Sequence, residues 1–162
     1  MSDNFVKKIF ICATEQSGDN IGKNILQGLK NEIPSLIVDG VGGDELKPFL
    51  RNQIYSLKEF KSMGIIEILF SIKKYFIMIR NLSKIVFNGN YDLVITIDSP
   101  DFNYPFSKKL RKYGYKGKII QIVAPTVWAW REYRAKKFAN IFDEIFTLFP
   151  FNNLILLKLG FI

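Results

Sequence analysis

Lys7-Lys-Ile-Phe-Ile-Cys-Ala-Thr-Glu-Gln-Ser-Gly-Asp-Asn20 begins as a run of apolar residues and empties into a polar loop rich in small side chains. A nearly continuous apolar run of this length is what a strand covered on both faces looks like, because neither face meets water. Residues Lys7–Ala13 therefore read as a buried strand, and Gly18–Asn31, which takes up helical spacing beyond the loop, as the helix that follows. The same alternation recurs downstream. Strands are predicted at Leu36–Val41, Asp92–Ile97, Lys118–Val123 and Glu144–Leu148. Helices are predicted at Ile65–Asn88, Tyr104–Tyr113, Arg131–Phe142 and near Asn152–Leu159, with Gly114 placed to stop the one that ends at Tyr113. Short apolar strands alternating with longer helices specify βαβ units, so the expected class is α/β: a Rossmann-like parallel sheet with helices on both faces.

A chain of 162 residues with 48% hydrophobic content can bury one core of ordinary size. No internal repeat, low-complexity stretch or Pro/Gly/Ser-rich linker marks a boundary, so residues 1–162 are expected to form a single domain. The last residues, Leu159-Gly-Phe-Ile162, fall where an αβ unit ordinarily turns into its next strand, and they read as a truncation. A single cysteine, Cys12, rules out an internal disulfide, fits a reducing compartment, and lies in an apolar run as core filling. The absence of histidine excludes Ser-His-Asp and Cys-His catalysis and every histidine-ligated metal site, leaving acid–base work to carboxylates, Lys or Tyr. Met-Ser-Asp-Asn4 lacks the basic start and apolar stretch of a secretory signal, so a cytoplasmic location is expected. The formal charge of +8 favours anionic partners without choosing among nucleic acid, phospholipid headgroups and phosphorylated substrates.

In open parallel sheets ligands bind outside the carboxyl ends of the strands, so the loops after the strands matter most. The first, Ala13-Thr-Glu-Gln-Ser-Gly-Asp-Asn20, has two readings. Ser17 or Asp19 caps the helix, or the loop presents free amides to an anion; capping does not require Glu15. Gly18-Asp-Asn-Ile-Gly22-Lys23 is not a P-loop, since three residues rather than four separate the glycines and Asn24 follows the lysine. Gly40-Val-Gly42-Gly43 lacks the full dinucleotide-binding spacing, and a tight turn accounts for it.

The second loop, Asp98-Ser-Pro-Asp101-Phe-Asn103-Tyr-Pro105, gathers two carboxylates and an amide at a strand end. Chemistry is expected here. Asp101 reads equally as a helix cap, whereas Asp98 sits at the strand tip where partial desolvation tunes a carboxylate. A metal pair is the other option, disfavoured because no His, Cys or further Asp ligand is near in sequence. The third loop, Val123-Ala-Pro-Thr-Val-Trp128-Ala-Trp130-Arg131, holds both tryptophans. These either pack under the sheet edge or, with Pro125 and Arg131, form a wall for a sugar or acyl ligand, Arg131 then pairing with phosphate. Finally, Ile65–Phe87 is interrupted by Glu67, Lys73, Lys74, Arg80 and Lys84 and is not a bilayer span. Its apolar residues either cover the sheet or form an interfacial face, with Ile66, Leu69, Phe70 and Phe76 as candidate membrane or acyl contacts beside Tyr75 and Ile79.

Taken together, Ala13-Thr-Glu-Gln-Ser-Gly-Asp19, Met63-Gly-Ile-Ile-Glu67, Asp98-Ser-Pro-Asp-Phe-Asn103 and Pro125-Thr-Val-Trp-Ala-Trp-Arg131, followed by Phe149-Pro-Phe151, resemble the lipid-A-disaccharide synthase family. Small departures are Thr14, where a glycine is usual, and Asn152, where an acidic residue is common. The resemblance implies a GT-B glycosyltransferase whose C-terminal, donor-binding domain is absent from this chain. It implies transfer of 2,3-diacylglucosamine from UDP-2,3-diacylglucosamine to 2,3-diacylglucosamine 1-phosphate, giving the β-1,6-linked disaccharide phosphate and UDP. No cofactor and no metal are implied, and the location implied is cytoplasmic and peripheral on the inner membrane, at an anionic surface. Carried onto these residues, Asp98 becomes the general base, Glu15 a second catalytic carboxylate that orients the acceptor or assists the base, and Ser17, Gly18, Asp19, Asp101, Asn103, Trp128, Trp130 and Arg131 substrate contacts.

Two other readings stand beside this one. A nucleic-acid-binding domain draws on the charge and on the aromatics within Lys108-Lys-Leu-Arg-Lys-Tyr-Gly-Tyr-Lys116, but explains none of the strand-tip loops. A non-catalytic, membrane-associated module or gene remnant would keep only the acceptor side, and a separately encoded C-terminal half would instead complete the enzyme.

Overall fold

A computed structural model describes residues 8–61, 68–123 and 137–147. In β1 (Lys8–Ala13), Ile9, Ile11 and Ala13 enter one apolar cluster and Phe10 and Cys12 another, all five fully buried. This two-sided burial is the physical reason the run is continuously apolar. The chain continues through α1 (Gln16–Glu32), β2 (Ile37–Gly42), a 3-10 turn at Lys47–Phe49, β3 (Asn52–Ser56), α2 (Leu57–Lys61) and α3 (Ile68–Asn88). It then forms β4 (Leu93–Ile97), α4 (Pro100–Lys112), β5 (Lys118–Ile122) and β6 (Glu144–Phe146). All pairings are parallel, in the order β3-β2-β1-β4-β5-β6. The doubly wound, Rossmann-like class expected from the sequence is the one observed.

The two faces of the sheet differ in chemistry. Under α1, Leu26 packs with Ile9, Ile11, Val38, Leu46, Ile95 and Ile97, an aliphatic layer. Under α3 and α4, Ile79, Leu82 and Val86 meet Phe102, Phe106 and Leu110 over Phe10, Val94 and Ile119. Aromatic edges set the spacing there: Phe60 and Tyr75 both meet the Phe102 ring edge-on, at 5.1 and 5.2 Å between centroids. Cys12 fills core as expected, and burial pushes its thiol well above the ordinary range, so it is inert as a nucleophile.

One charge is buried inside the sheet. Asp39 of β2 is 1% exposed and accepts from Arg51 Nε at 2.9 Å, Asn52 Nδ2 at 2.9 Å and Tyr91 Oη at 2.8 Å, with Arg51 Nη2 as a second guanidinium donor. Burial alone would raise its pKa; the hydrogen bonds from Arg51, Tyr91 and Asn52 and the Arg51 charge reverse this and hold the carboxyl below the usual range.

Four boundaries correct the sequence expectation. β3 has no counterpart among the expected strands. It is an edge strand with mostly half-exposed residues, so it carries no continuous apolar run. α4 begins at Pro100 rather than Tyr104, because Pro100 occupies the first turn, where a missing N–H costs nothing. The helix expected to reach Phe142 has ended by residue 139, the chain turning so that Phe142 is buried and the Asp143 amide reaches Ile119 O. β6 stops at Phe146 instead of Leu148. The helix expected near Asn152–Leu159 lies outside the described residues.

Candidate functional site

With β1 and β4 adjacent while their following helices, α1 and α4, lie in opposite layers, the crevice between the β1–α1 and β4–α4 loops is the topological switch point of the sheet. Two hydrogen bonds cross it. Ser17 Oγ in the first turn of α1 donates to Asp98 Oδ2 at 3.0 Å, and Ser99 Oγ donates to Glu15 Oε1 at 2.6 Å. Each loop thus gives one carboxylate and one hydroxyl to the other. The sequence selects Glu15, Ser17 and Asp98; the structure brings them together across more than 80 residues of chain. It adds Ser99, which no spacing rule marks.

Glu15 is the N-cap residue of α1 but its side chain makes no capping hydrogen bond, being engaged across the crevice instead. Ser17 and Asp19 are not caps, since the helix has already begun at Gln16. Asp19 has another task. Fully buried, it accepts from the amides of Gly43 at 2.6 Å, Glu45 at 3.1 Å and Leu46 at 3.3 Å, pinning the loop after β2 to α1. Gly43 must be a glycine for this, because a Cβ there would sit 2.5 Å from Asp19 Oδ2. Gly43, the residue that follows β2, therefore marks a close approach to a carboxylate rather than merely a tight turn, whereas Gly40 within the strand lies against the Ile11 backbone. Gly18, also buried, has space for a Cβ only at 3.3 Å from Ala13 Cβ and 3.4 Å from Ile97 O, so it seats α1 against the ends of β1 and β4.

Asp98 and Ser99 both have left-handed backbones, φ 53° and 41°. For non-glycine residues this costs about 1–2 kcal/mol each, and such strain persists only where surrounding contacts over-determine it. Those contacts are present. The Asp98 amide donates to Ile122 O at 2.8 Å. Its carbonyl accepts from Asn103 Nδ2 at 2.7 Å and Gln121 Nε2 at 3.1 Å. Asn103, fully buried, also donates to Ile97 O at 3.1 Å. Its amide is therefore occupied in shaping the loop, while its Oδ1 is buried without a partner among the described residues. Gln121 is absent from the candidates read from sequence, although an amide in the otherwise apolar run Lys118–Val123 is a usable signal.

The result is a half-exposed Asp98 carboxylate with one side-chain donor among the described residues, next to an exposed Glu15. Asp101 is exposed at the second position of α4 and is not its cap, which is Ser99. On α3, burial first, and then the Asp101 and Glu15 carboxylates, push the phenol of Tyr75 above the ordinary range, so it stays neutral at physiological pH.

On α3, Phe76 is 61% exposed, and Ile72 and Ile77 stand out beside the exposed Lys73, Lys74 and Arg80. Leu69 and Phe70 belong to the same helix. Ile66, Trp128, Trp130 and Arg131 lie outside the described residues. No helix among the described residues is long and apolar enough to cross a membrane.

The family model for lipid-A-disaccharide synthetase matches residues 9–161. A lipid-A-disaccharide synthase from Rickettsia felis is 42% identical over 156 residues, covering 94% of this chain and 39% of the relative. One from Chlamydia felis is 39% identical over 142 residues, covering 88% of this chain and 23% of the relative. The chain thus spans about a quarter to two fifths of the length of these relatives. A crystal structure described as a putative UDP-N-acetylglucosamine 2-epimerase from Listeria monocytogenes superposes with a TM-score of 0.65 at 13% identity, over 96% of this chain and 42% of that one, a likeness of fold.

Proposed function

Because the chain belongs to the lipid-A-disaccharide synthetase family, we propose that it forms the acceptor side of a GT-B glycosyltransferase that makes the lipid A disaccharide. The acceptor is 2,3-diacylglucosamine 1-phosphate and the donor UDP-2,3-diacylglucosamine, held by a second domain supplied by polypeptide beyond these 162 residues. The observation that carries this reading is the pair of reciprocal carboxylate–hydroxyl bonds, Ser17–Asp98 and Ser99–Glu15, at the switch point.

In this reading Asp98 takes the proton from the acceptor's 6-hydroxyl as that oxygen attacks the donor's anomeric carbon. The bond from that carbon to the UDP oxygen breaks, and UDP leaves with the electron pair. Asp98 suits the task because its carboxylate is half-exposed, held among the described residues by a single hydroxyl, and fixed by its backbone instead of by an ion pair. Glu15 orients the acceptor or assists the base. Ser17, Asp101 and, with Gly18, the amide end of α1 face the acceptor, whereas Asp19 and Asn103 contribute by shaping the loops. Trp128, Trp130 and Arg131 are assigned to the sugar and phosphate. The exposed Phe76 stripe on α3, with Lys73 and Arg80, is assigned to acyl chains or to an anionic bilayer surface, which would place the protein on the cytoplasmic side of the inner membrane.

The aromatics that suggest nucleic acid are engaged in packing. Tyr115 is buried and donates to Tyr91 O at 2.9 Å, and Tyr113 packs on Phe87, so neither presents a stacking platform. Disaccharide formation is the test, measured with the purified chain alone and mixed with a C-terminal half from a full-length relative. Turnover only in the mixture, abolished by Asp98→Asn, is the expected result. No turnover in either, with the chain folded, would leave a binding module or remnant.

A further inference from the structure

Two left-handed non-glycine turns lie side by side at the carboxyl edge: Asp98–Ser99 after β4, and Val123, φ 65°, after β5. A β-branched residue in that region is a marked outlier that local sterics do not support. One side chain touches both turns. Gln121, fully buried in β5, donates through Nε2 to Asp98 O at 3.1 Å, Ile122 O at 3.1 Å and Val123 O at 3.3 Å. Its two N–H bonds are shared among three carbonyls, so the amide cannot turn over without losing them all. At the other end, the fully buried Thr96 hydroxyl donates to Gln121 Oε1 at 2.7 Å, with Ile120 O at 3.0 Å as a second acceptor of the same proton. Thr96 and Gln121 are register partners in neighbouring strands, so sheet pairing itself sets this contact.

We propose that Gln121, locked by Thr96, is the positioning residue that holds the Asp98–Ser99 turn and ties it to the exit of β5. It touches no reacting atom. It fixes the peptide whose side chain is the proposed base and couples that peptide to Val123, at the exit of β5. Its effect on rate rests on the reading of Asp98 as the base; its hold on the turn does not.

The experiment has two arms. In the first, amide hydrogen exchange is followed in the chain itself. Gln121→Met removes the amide, and Gln121→Glu keeps the length but leaves at most one donor, the proton of a neutral carboxyl, in place of two N–H groups. Both are expected to speed exchange across residues 98–103 about tenfold, the factor for one lost hydrogen bond, with the amides of β1 and β2 unchanged. Uniform acceleration across the sheet, or none, would overturn the proposal. Thr96→Val, close in shape but leaving Gln121 Oε1 without its donor, should loosen the same amides about threefold, and unchanged exchange there would count equally against it.

In the second arm, turnover is measured with the added C-terminal half. Gln121→Met should lower kcat about tenfold with KM unchanged, and cost nothing further in an Asp98→Asn background. Losses that multiply in the double variant would sever the link to Asp98. Should Asp98→Asn itself leave turnover intact, the base assignment fails, and the exchange arm alone then decides what Gln121 holds.

Discussion

Asp39 within β2 and Asp98 just past the end of β4 are the same residue type, held in opposite ways. Asp39 is 1% exposed, has four donor contacts from Arg51, Asn52 and Tyr91, and carries a depressed pKa. Asp98 is half-exposed and meets one hydroxyl among the described residues, while its backbone takes the contacts that hold it in place. Under the proposed function, what separates a scaffold carboxylate from a catalytic one is therefore which part of the residue the protein grips. A gripped side chain has no capacity left for substrate; a gripped peptide leaves the side chain fixed and available.

Asp98→Asn tests this difference most directly. Asparagine tolerates the left-handed region, so the fold should persist with a melting temperature within a few degrees while turnover with the C-terminal half falls by about 10²–10⁴-fold. Unfolding would show instead that Asp98 is scaffold too. Asp39→Ala should do the reverse, costing about 2 kcal/mol in urea denaturation, chiefly by leaving the buried Tyr91 hydroxyl without its acceptor, since Arg51 is exposed enough to be solvated. Its pH dependence has a definite sign. Asp39 titrates lower folded than unfolded, so its contribution is present above the unfolded carboxyl value near 4 and is lost as pH falls through the depressed folded value. Asp39→Asn should flatten the acid limb of stability against pH, and an unchanged limb would place the linkage elsewhere. Asp19→Ala, which strands three amides, should cost about 2 kcal/mol. Least of all, Ser17→Ala should lower kcat by roughly fivefold without moving the melting temperature, the scale of one hydroxyl–carboxylate bond; a large stability loss would make that bond structural.

Strands buried on both faces are readable because burial writes itself as apolar runs: β1, β2, β4 and β5 lie within a residue or two of their expected bounds. β3 is invisible for the converse reason. Asn52-Gln-Ile-Tyr-Ser56 is half-exposed at an edge, and its place is set by β2. Proline misleads once: Pro100 and Pro105 suggest loop, but the first starts α4 and the second gives up one helical bond near its beginning. At the site, Glu15, Ser17 and Asp98 are legible because polar residues directly after apolar strands are conspicuous. Ser99 acts through backbone geometry, which leaves no local pattern, and Gln121 shows only as a lone amide in an apolar strand, its cross-strand partner hidden by sequence distance. Asp19 looks like a cap because sequence distance hides Gly43, its partner in the next loop.

Ser17 reaches Asp98, and Ser99 reaches Glu15, across 81 and 84 positions. A growing polypeptide therefore has no crevice while β1, β2 and their helix are being made, and none until β4 has inserted beside β1. Closing so large a loop is entropically slow compared with forming any helix here. The two serine–carboxylate bonds are thus late products of folding, and their appearance would time the moment at which the centre of the sheet is complete.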